Sequence, residues 1–328
     1  MRIDFPGFFD LQVNGFAGID FNTPGCTADQ LKHATNALRA TGVTRFLPTL
    51  ITSSLEQFSL CARSILEFSD PAIAGIHMEG PYISPDDGPR GAHSREHVIA
   101  ASIEDFSRRQ DAAEGRISLL TLAPEVPGAL RLIEHLVKSE IRVAIGHTAA
   151  VPEQIRDAVS AGATLSTHLG NGCAQVLPRH PNSVWEQLAA DELYASFIVD
   201  GHHLPPATVK SMMRAKQPSR TILVTDATAA AGCRPGSYMI GEARVELDAH
   251  GRVAAPGAAN LAGSALAMHN AVANTVRFTG WSLSEVLPMA STTPARYLGV
   301  EPVGRVTAEW DEGNRALLID RALVPEIV

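Results

Sequence analysis

The chain has 328 residues and a formal net charge of −8; 45% of the residues are hydrophobic and 19% are charged. This length suits one large domain, alone or with a small one, and this composition is that of a folded globular protein. No block of lysines and arginines is present, so neither a nucleic-acid partner nor a membrane surface is expected. The four cysteines form no C-x-x-C pair, which argues against a structural zinc cluster and a disulfide framework.

The N-terminal segment Met1–Gly7 has no signal-peptide pattern. Uninterrupted apolar runs stay shorter than the roughly 18 residues that a membrane-spanning helix needs. These features predict a cytoplasmic protein.

Short apolar runs alternate with amphipathic stretches along most of the chain. Eight of these runs are predicted strands, buried on both faces because most are continuously apolar or β-branched. They are Gly7–Gln12, Val43–Leu50, Ala72–His77, Arg116–Leu122, Ile141–Ile145, Ala163–Thr167, Ala195–Val199 and Thr221–Thr225. Eight strand–helix units of this kind predict a parallel sheet closed into a (β/α)8 TIM-like barrel, in the α/β class.

Helical patterns lie between these strands. One begins at Thr27, whose sequence resembles a capping box, and another runs from Pro127 to Glu140. The second pattern predicts an apolar face formed by Leu130, Ile133, Leu136 and Val137.

The predicted barrel domain spans residues 5–300. Within it, residues 237–256 predict a β-hairpin inserted from a small domain, with Asp248–Gly251 as its turn. Residues 301–328 predict the C-terminal strands of that small domain, which would be a reduced, β-sandwich-like layer beside the barrel.

Polar and charged residues cluster just after the predicted strands. They are, in chain order, Gln12, Asn14, Glu79, His147, His168, Asp200, His202, His203 and Asp226. The active sites of such barrels are built where the strands end, at the carboxyl rim. Unrelated surface or core residues would have little reason to gather on that rim.

Glu79, His147 and His168 provide one carboxylate and two imidazoles, a set that suits a catalytic zinc with one position left open for water. Other divalent metals could use the same ligands. Each residue alone also has a structural explanation: a hydrogen-bonded core histidine, or a glutamate that caps a helix or pairs with an arginine. Their common position on one rim favours the metal site. His77 would share a face with Glu79 and support it from behind.

Asp226 ends an apolar strand and is the best candidate for a catalytic carboxylate. Its proposed role is general base toward water and then general acid toward a leaving nitrogen. A helix cap or a metal ligand is the alternative.

Together these motifs resemble those of the N-acetylglucosamine-6-phosphate deacetylase family, in the amidohydrolase superfamily. The matching segments cover nearly the whole chain and are residues 6–15, 75–81, 91–93, 146–148, 167–172, 200–203, 223–227 and 261–268. Met-Glu-Gly-Pro and Leu-Val-Thr-Asp-Ala, in this order, are the specific elements. The resemblance implies hydrolysis of the acetamide of an N-acetylhexosamine 6-phosphate.

The resemblance also implies roles for single residues. Glu79, His147 and His168 would hold the metal, Asp226 would be the acid/base, and His93, beside Ala92, would contact the substrate near the scissile amide. The phosphate would be held by Asn171, the Gly172 backbone, Arg179 and His203, partly from a neighbouring subunit, so a homodimer is implied. Leu261, Ala262 and Gly263 would line the sugar and acetyl side. From the residue types alone, Arg179 and His203 could also be solvated surface groups.

Many amidohydrolases carry His-x-His after the first strand and bind two metals. This chain has Gln12 and Asn14 there, and neither is as good a zinc ligand as imidazole. One divalent ion per chain is therefore expected, zinc before Fe²⁺, Co²⁺ or Mn²⁺, with the two amides facing the substrate.

Two departures from the family pattern are visible. Only five residues precede Pro6, where the family usually has further strands, so the small domain should be reduced or completed by a partner. The segment after Thr167-His168 reads Asn-Gly-Cys instead of Asn-Ala-Met, which affects the expected fit to the substrate. The alternatives to the deacetylase are an amidohydrolase for another N-acyl or cyclic amide, and a non-catalytic scaffold or sensor.

Overall fold

The computed structural model describes residues 1–240, 243–258 and 261–324. Within these ranges the strands are β1 (Arg2–Pro6), β2 (Phe8–Val13), β3 (Gly15–Phe16), β4 (Ile19–Asp20), β5 (Val43–Ile51), β6 (Ile76–Glu79), β7 (Ile117–Leu122), β8 (Arg142–Ile145), β9 (Leu165–Ser166), β10 (Tyr194–Phe197), β11 (Thr221–Leu223), β12 (Gly236–Ile240), β13 (Ala243–Leu247), β14 (Val253–Ala254), β15 (Arg305–Asp311) and β16 (Ala316–Leu323). The helices are α1 (Ala28–Ala40), α2 (Leu55–Phe68), α3 (Ile103–Ala112), α4 (Ala129–Lys138), α5 (Pro152–Ala161), α6 (Ser183–Ala189), α7 (Pro206–Lys216), α8 (Met268–Thr279), α9 (Leu283–Ala290) and α10 (Thr292–Leu298).

The central sheet is an eight-stranded parallel barrel, as predicted. Its strand order is β2-β5-β6-β7-β8-β9-β10-β11, and every hydrogen-bonded pair along it is parallel. Each strand corresponds to one of the eight apolar runs. The third run begins later than predicted, because Asp70 forms a turn that takes the backbone N–H groups of Ala72 and Ile73.

The barrel closes between β2 and the segment that follows β11. There the backbone N–H of Asp226 donates to the carbonyl of Gln12 at 3.0 Å, and that of Asn14 donates to Ala227 at 2.8 Å. The seam therefore joins two strands that are more than two hundred residues apart, and both carry predicted site residues at their ends.

Helices cover the outside of the barrel and bury their apolar faces against it. Helix α1 begins as predicted: the Thr27 side chain accepts from the Gln30 backbone, and the Gln30 side chain accepts from the Thr27 backbone. In α4 the predicted face is only partly right, because Leu130 and Val137 are exposed. Among the described residues, no helix has both the length and the apolar character needed to cross a bilayer.

Besides the two-stranded pair β3-β4, two three-stranded antiparallel sheets flank the barrel, as expected for a small β layer. One has the order β1-β15-β16, so the N-terminal residues supply a strand that the sequence did not predict. The other is β12-β13-β14, in which Asp248 accepts from the backbones of His250 and Arg252 at the predicted turn.

The division into domains at residues 5–300 and 301–328, with the insertion 237–256, stays a prediction. Positions 241–242, 259–260 and 325–328 of those ranges lie outside the described residues.

Lys216, at the end of α7, is a buried cation that joins two parts of the helical layer. Its Nζ donates to the carbonyl oxygens of Ala190 at 2.5 Å and Leu193 at 3.0 Å, in the connection between α6 and β10. Burial lowers the pKa of Lys216 to about 8. The lysine thus gives the Leu193 carbonyl a donor and adds a second donor to the Ala190 carbonyl, which also accepts from the Leu193 backbone N–H at 3.3 Å.

Replacing Lys216 by Met should lower the free energy of unfolding by about 1–3 kcal/mol, because the buried Leu193 carbonyl loses the lysine donor and the Ala190 carbonyl loses the shorter of its two bonds, while the apolar stem is kept. The control is Arg214→Met, on an exposed position of the same helix, which should change stability by less than about 0.5 kcal/mol. Urea denaturation measures both variants; equal stability of the two would contradict the bridging role.

Candidate active site

Glu79, His147 and His168 meet at the carboxyl rim of the barrel. Glu79 is the last residue of β6, and the two histidines follow the ends of β8 and β9 by two residues each. All three side chains are buried. Residues that lie far apart in the sequence therefore reach one point because neighbouring parallel strands end at the same edge.

The three side chains converge closely. Glu79 Oε1 lies 3.1 Å from His147 Nε2 and 3.0 Å from His168 Nε2, and the two Nε2 atoms are 3.2 Å apart. One ligand atom from each residue lies within 4.8 Å of the others. Two ring nitrogens and a carboxylate oxygen that face a single point can serve as ligands of one divalent cation.

The orientation of the His147 ring is fixed from both sides. Its Nδ1 contacts the carbonyl of Pro89 at 2.9 Å, which makes Nδ1 a donor and directs Nε2 at Glu79. On the other side, a Cβ atom added to Gly172 would lie only 2.9 Å from Nδ1. The absence of a side chain at Gly172 thus makes room for the imidazole.

The backbone around the site is in an uncommon conformation. His147, His168 and Asp226 have φ angles of 50°, 30° and 49°, in the left-handed region that favours glycine. Each residue follows a barrel strand, and the turn directs its side chain to the mouth. Such strain persists only where the surrounding structure enforces it, and it is characteristic of functional sites.

The electrostatics of the cluster favour a charged carboxylate. Burial by itself raises the pKa of Glu79, but hydrogen bonds and charge from His147 and His168 hold that pKa well below its usual range. Burial lowers the pKa of His168, whereas the hydrogen bond and charge of Glu79 outweigh this effect and raise it above the ordinary value. Glu79 is therefore an anion that attracts positive charge into the site.

Asp226 lies three residues beyond the end of β11 and belongs to the same polar region. Asn14 Nδ2 donates to its Oδ1 at 2.7 Å. Burial, together with the negative charge of Glu79, raises the pKa of Asp226 to about 6. A carboxyl group with a pKa near neutrality can accept and return a proton at physiological pH.

The structure places Gln12 against Glu79: Gln12 Nε2 donates to Glu79 Oε1 at 2.9 Å. Asn14 reaches the same rim but contacts Asp226 instead. The predicted substrate contacts of Gln12 and Asn14 stay predictions. What the structure shows is that one amide orients the carboxylate of Glu79 and the other orients Asp226.

His93 borders the cluster on the side of the loop after β6. Its Nδ1 lies 2.8 Å from Thr52 Oγ1, its Nε2 lies 3.8 Å from Glu79 Oε2, and its ring packs 4.3 Å from that of His147. Burial and the neighbouring His147 lower the pKa of His93 to about 3, so this imidazole is neutral. Ala92, the residue before it, is exposed.

His77 lies inside the barrel, where its ring bridges three strands. Its Nδ1 is 3.1 Å from the Leu11 carbonyl and its Nε2 is 2.8 Å from Thr121 Oγ1, which in turn contacts Thr167 Oγ1 at 2.7 Å. Burial lowers its pKa to about 4. This network links the strands that carry Glu79 and His168, which agrees with a supporting role.

The residues predicted to hold a phosphate differ in what they contact in the structure. Asn171 Nδ2 donates to the carbonyl of His168 at 3.1 Å, and Gly172 packs against His147. His203 Nδ1 pairs with Asp200 Oδ2 at 2.6 Å. Arg179 lies on an exposed segment. Their phosphate contacts stay predictions.

Leu261, Ala262 and Gly263 lie partly buried in the segment before α8. A Cβ added to Gly263 would meet Thr228 Cγ2 at 2.4 Å, just beyond Asp226 in the chain. This close approach brings the segment near the strand end that carries the candidate acid/base. That this segment lines the sugar of a substrate stays a prediction.

Three groups of this region were not identified from the sequence. Thr52 orients His93, Glu125 accepts from the Thr148 hydroxyl at 2.5 Å beside His147, and Asp10 is buried behind Asp226. Thr52 and Glu125 do follow strands of the barrel, so the rule applied to the histidines would have included them. Asp10 lies inside an apolar run, where that rule gives no signal.

The fold and the cluster define a class of protein. The sequence model described as "Amidohydrolase family" matches residues 3–311. That family is metal-dependent, and Glu79, His147 and His168 form a candidate metal site.

Comparison with individual proteins narrows the class. The chain is 34% identical to an N-acetylgalactosamine-6-phosphate deacetylase of Escherichia coli O157:H7 over 91% of this chain and 78% of that protein. It is 35% identical to an N-acetylglucosamine-6-phosphate deacetylase of Homo sapiens over 92% of this chain and 75% of that protein. It therefore belongs to the N-acetylglucosamine-6-phosphate deacetylase family of the amidohydrolase superfamily.

Solved structures agree with this assignment. A mutant of the N-acetyl-D-glucosamine-6-phosphate deacetylase of Mycobacterium smegmatis, in complex with N-acetyl-D-glucosamine-6-phosphate, superposes with a TM-score of 0.87. The two chains are 31% identical, and the match covers 98% of this chain and 86% of that one. The deacetylase of Thermotoga maritima gives a TM-score of 0.85 at 28% identity, over 98% of this chain and 87% of that chain.

Replacing Gly172 by Ala should reduce the affinity for a divalent metal, because the new methyl group would displace the His147 ring. The matched control is Gly115→Ala, since Gly115 also has a left-handed backbone (φ +76°) but nothing lies within 4 Å of an added Cβ. Metal content after dialysis, measured by plasma mass spectrometry, should fall below half an ion per chain in the first variant and stay unchanged in the control. Full metal retention by both would show that His147 does not need this space.

Proposed function

We propose that this protein hydrolyses the acetamide of an N-acetylhexosamine 6-phosphate to the amino-sugar phosphate and acetate, with N-acetylglucosamine 6-phosphate as the first substrate to test. The observation that supports this most directly is the convergence of Glu79, His147 and His168 beside Asp226 in a member of the deacetylase family. The relatives named as deacetylases of two epimers make N-acetylgalactosamine 6-phosphate the second candidate substrate.

Glu79, His147 and His168 would hold one divalent ion, and zinc is the first candidate, because two imidazoles and one carboxylate form a common catalytic zinc site. Fe²⁺, Co²⁺ and Mn²⁺ also accept these ligands. A divalent ion supplies, when bound, Lewis-acid polarisation of a carbonyl and a lower pKa for water. Glu79 contributes the negative charge, and the Pro89 carbonyl keeps His147 in the tautomer that can bind.

Asp226 would move the proton. As the carboxylate it accepts a proton from water, and as the acid it returns that proton to the nitrogen of the leaving amine. Asn14 donates to one carboxylate oxygen, so it fixes the direction in which the carboxylate points. Burial and the negative charge of Glu79 raise the pKa of Asp226, which favours proton uptake by this carboxylate.

His93 is suited to hold the amide end of the substrate, because it is neutral, buried and oriented by Thr52. At the other end, Asn171, Gly172, Arg179 and His203 would hold the phosphate. Arginine suits such contacts through its paired donors. The exposed position of Arg179 is compatible with a contact made across a homodimer, which we include in the proposal.

We also propose a cytoplasmic location, because a phosphorylated sugar carries charge and does not cross a membrane unaided. The alternative is an amidohydrolase that acts on a different N-acyl or cyclic amide substrate.

An acetate-release assay with the metal-replete protein tests the proposed function. We expect turnover of N-acetylglucosamine 6-phosphate or its galactosamine epimer, and a loss of at least about 100-fold in kcat/KM for the same sugars without phosphate, because the phosphate contacts would go unused. Prior removal of the metal by a chelator should abolish turnover, and added Zn²⁺ should restore it. Equal activity on free and phosphorylated sugars would favour the alternative.

Asp226→Asn should retain the metal and lower kcat by about 100- to 10,000-fold, because the amide cannot take a proton from water. Asp248→Asn, on an exposed turn, is the control and should leave kcat unchanged. Steady-state kinetics and metal analysis of both variants provide the measurement. Turnover of Asp226→Asn within a few-fold of the unmodified protein would exclude Asp226 as the acid/base.

A further inference from the structure

Asp10 is a fully buried carboxyl group in the middle of β2, on the seam where the barrel closes. The only other polar side chain of this strand is that of Gln12, and none of the proposed chemistry uses Asp10. A buried carboxyl group is costly unless each of its oxygens finds a donor. The hydrogen-bond donors to its two oxygen atoms therefore indicate the role of Asp10.

The donors to Asp10 come from both sides of the seam. Asp10 Oδ1 accepts from the backbone N–H groups of Gln12 and Thr225, each at 3.2 Å, and Oδ2 accepts from the Thr225 hydroxyl at 2.6 Å. In an ordinary parallel pair, N–H groups of this kind donate to carbonyl oxygens of the neighbouring strand. At Thr225 the side chain of Asp10 takes the place of such a carbonyl acceptor, and backbone bonding between the two segments resumes at the next residue, Asp226.

The seam also holds the two ends of the candidate site. Thr225 directly precedes Asp226, whose backbone is left-handed and whose N–H donates to the Gln12 carbonyl at 3.0 Å. Gln12 in turn donates to Glu79. Asp10 thus holds the residue before the acid/base and the residue that orients a proposed metal ligand.

We infer that Asp10 is a positioning residue for the reaction: through Thr225 it sets the place of the Asp226 carboxylate opposite the metal site. This inference rests on the proposed function, because it assumes that Asp226 moves the proton. Asp226 is then held from three directions, by Thr225 through the chain, by Gln12 through the backbone and by Asn14 through the side chain.

The test compares three variants of the metal-replete protein. Asp10→Asn keeps the shape but places an amide against the Thr225 hydroxyl; Thr225→Val removes that hydroxyl, and Thr225→Ser keeps it. We expect Asp10→Asn and Thr225→Val to lower kcat by about 10- to 100-fold with KM within about two-fold, because a small misplacement of a reacting group has an effect of this size. Thr225→Ser should keep kcat within about three-fold of the unmodified protein.

Asp4→Asn is the matched control, because Asp4 also accepts from a threonine hydroxyl, that of Thr307, but on the small sheet. It should leave kcat unchanged. If Asp10→Asn and Thr225→Val act through the same contact, their effects should not add. The kcat of the double variant should then lie within about three-fold of the kcat of the slower single variant.

Metal content and structure separate positioning from general stability. We expect one ion per chain in each variant, and a crystal structure of Asp10→Asn in which the Asp226–Asn14 contact has opened while the backbone bonds of the seam remain. Loss of metal in proportion to activity, or an unchanged kcat in Asp10→Asn, would overturn the inference. If the unmodified protein releases no acetate, the proposed function fails, and the crystal structure alone then decides the role of Asp10.

Discussion

The attraction between one buried carboxylate and two imidazoles organises the mouth of this barrel. Glu79 is charged in spite of its burial because His147 and His168 both face the same oxygen atom. The three residues come from strand ends that only the closed parallel sheet brings together. The rigid last residue of a strand supplies the carboxylate, while the two histidines stand on turns that the neighbouring loops hold in place.

The order of the site is maintained by groups that do not themselves face the reacting centre. Pro89 and Gly172 confine the ring of His147, Thr52 orients His93, and Gln12 orients Glu79. These contacts fix the conformations of the side chains before a metal and a substrate bind. Less conformational entropy is therefore lost on binding. The small sheet β12-β13-β14 also reaches this rim, because the Ala262 backbone N–H donates to the Val253 carbonyl at 2.9 Å.

The sequence predicted the barrel and the central cluster because both depend on local signals. Continuous apolar runs marked the strands, and polar residues just after them marked the rim, so Glu79, His147, His168 and Asp226 could be named in advance. Asp10 could not, because it interrupts an apolar strand without any sign of its partner Thr225, 215 residues away.

Other details depend on tertiary contacts that a sequence pattern does not contain. In α4 the periodicity fits two overlapping faces, and packing selects the one centred on Leu132, Ile133 and Leu136. Likewise the turn at Asp70 delays the start of β6, although the residues just before β6 are apolar enough to extend the strand. The strand β1 was missed because its apolar residues are few and three of its five residues are exposed.

The left-handed backbones of His147, His168 and Asp226 have a consequence for how this chain could change over evolutionary time. Each such conformation costs about 1 kcal/mol or more in a residue with a side chain, and glycine would adopt it freely. Selection for folding alone would favour glycine at these three positions. The two histidines and the aspartate found there therefore lower the stability of the fold in exchange for the reaction. A descendant of this protein that no longer needed the reaction would gain stability first by substitutions to glycine at the carboxyl rim, where the ancestral active site lay.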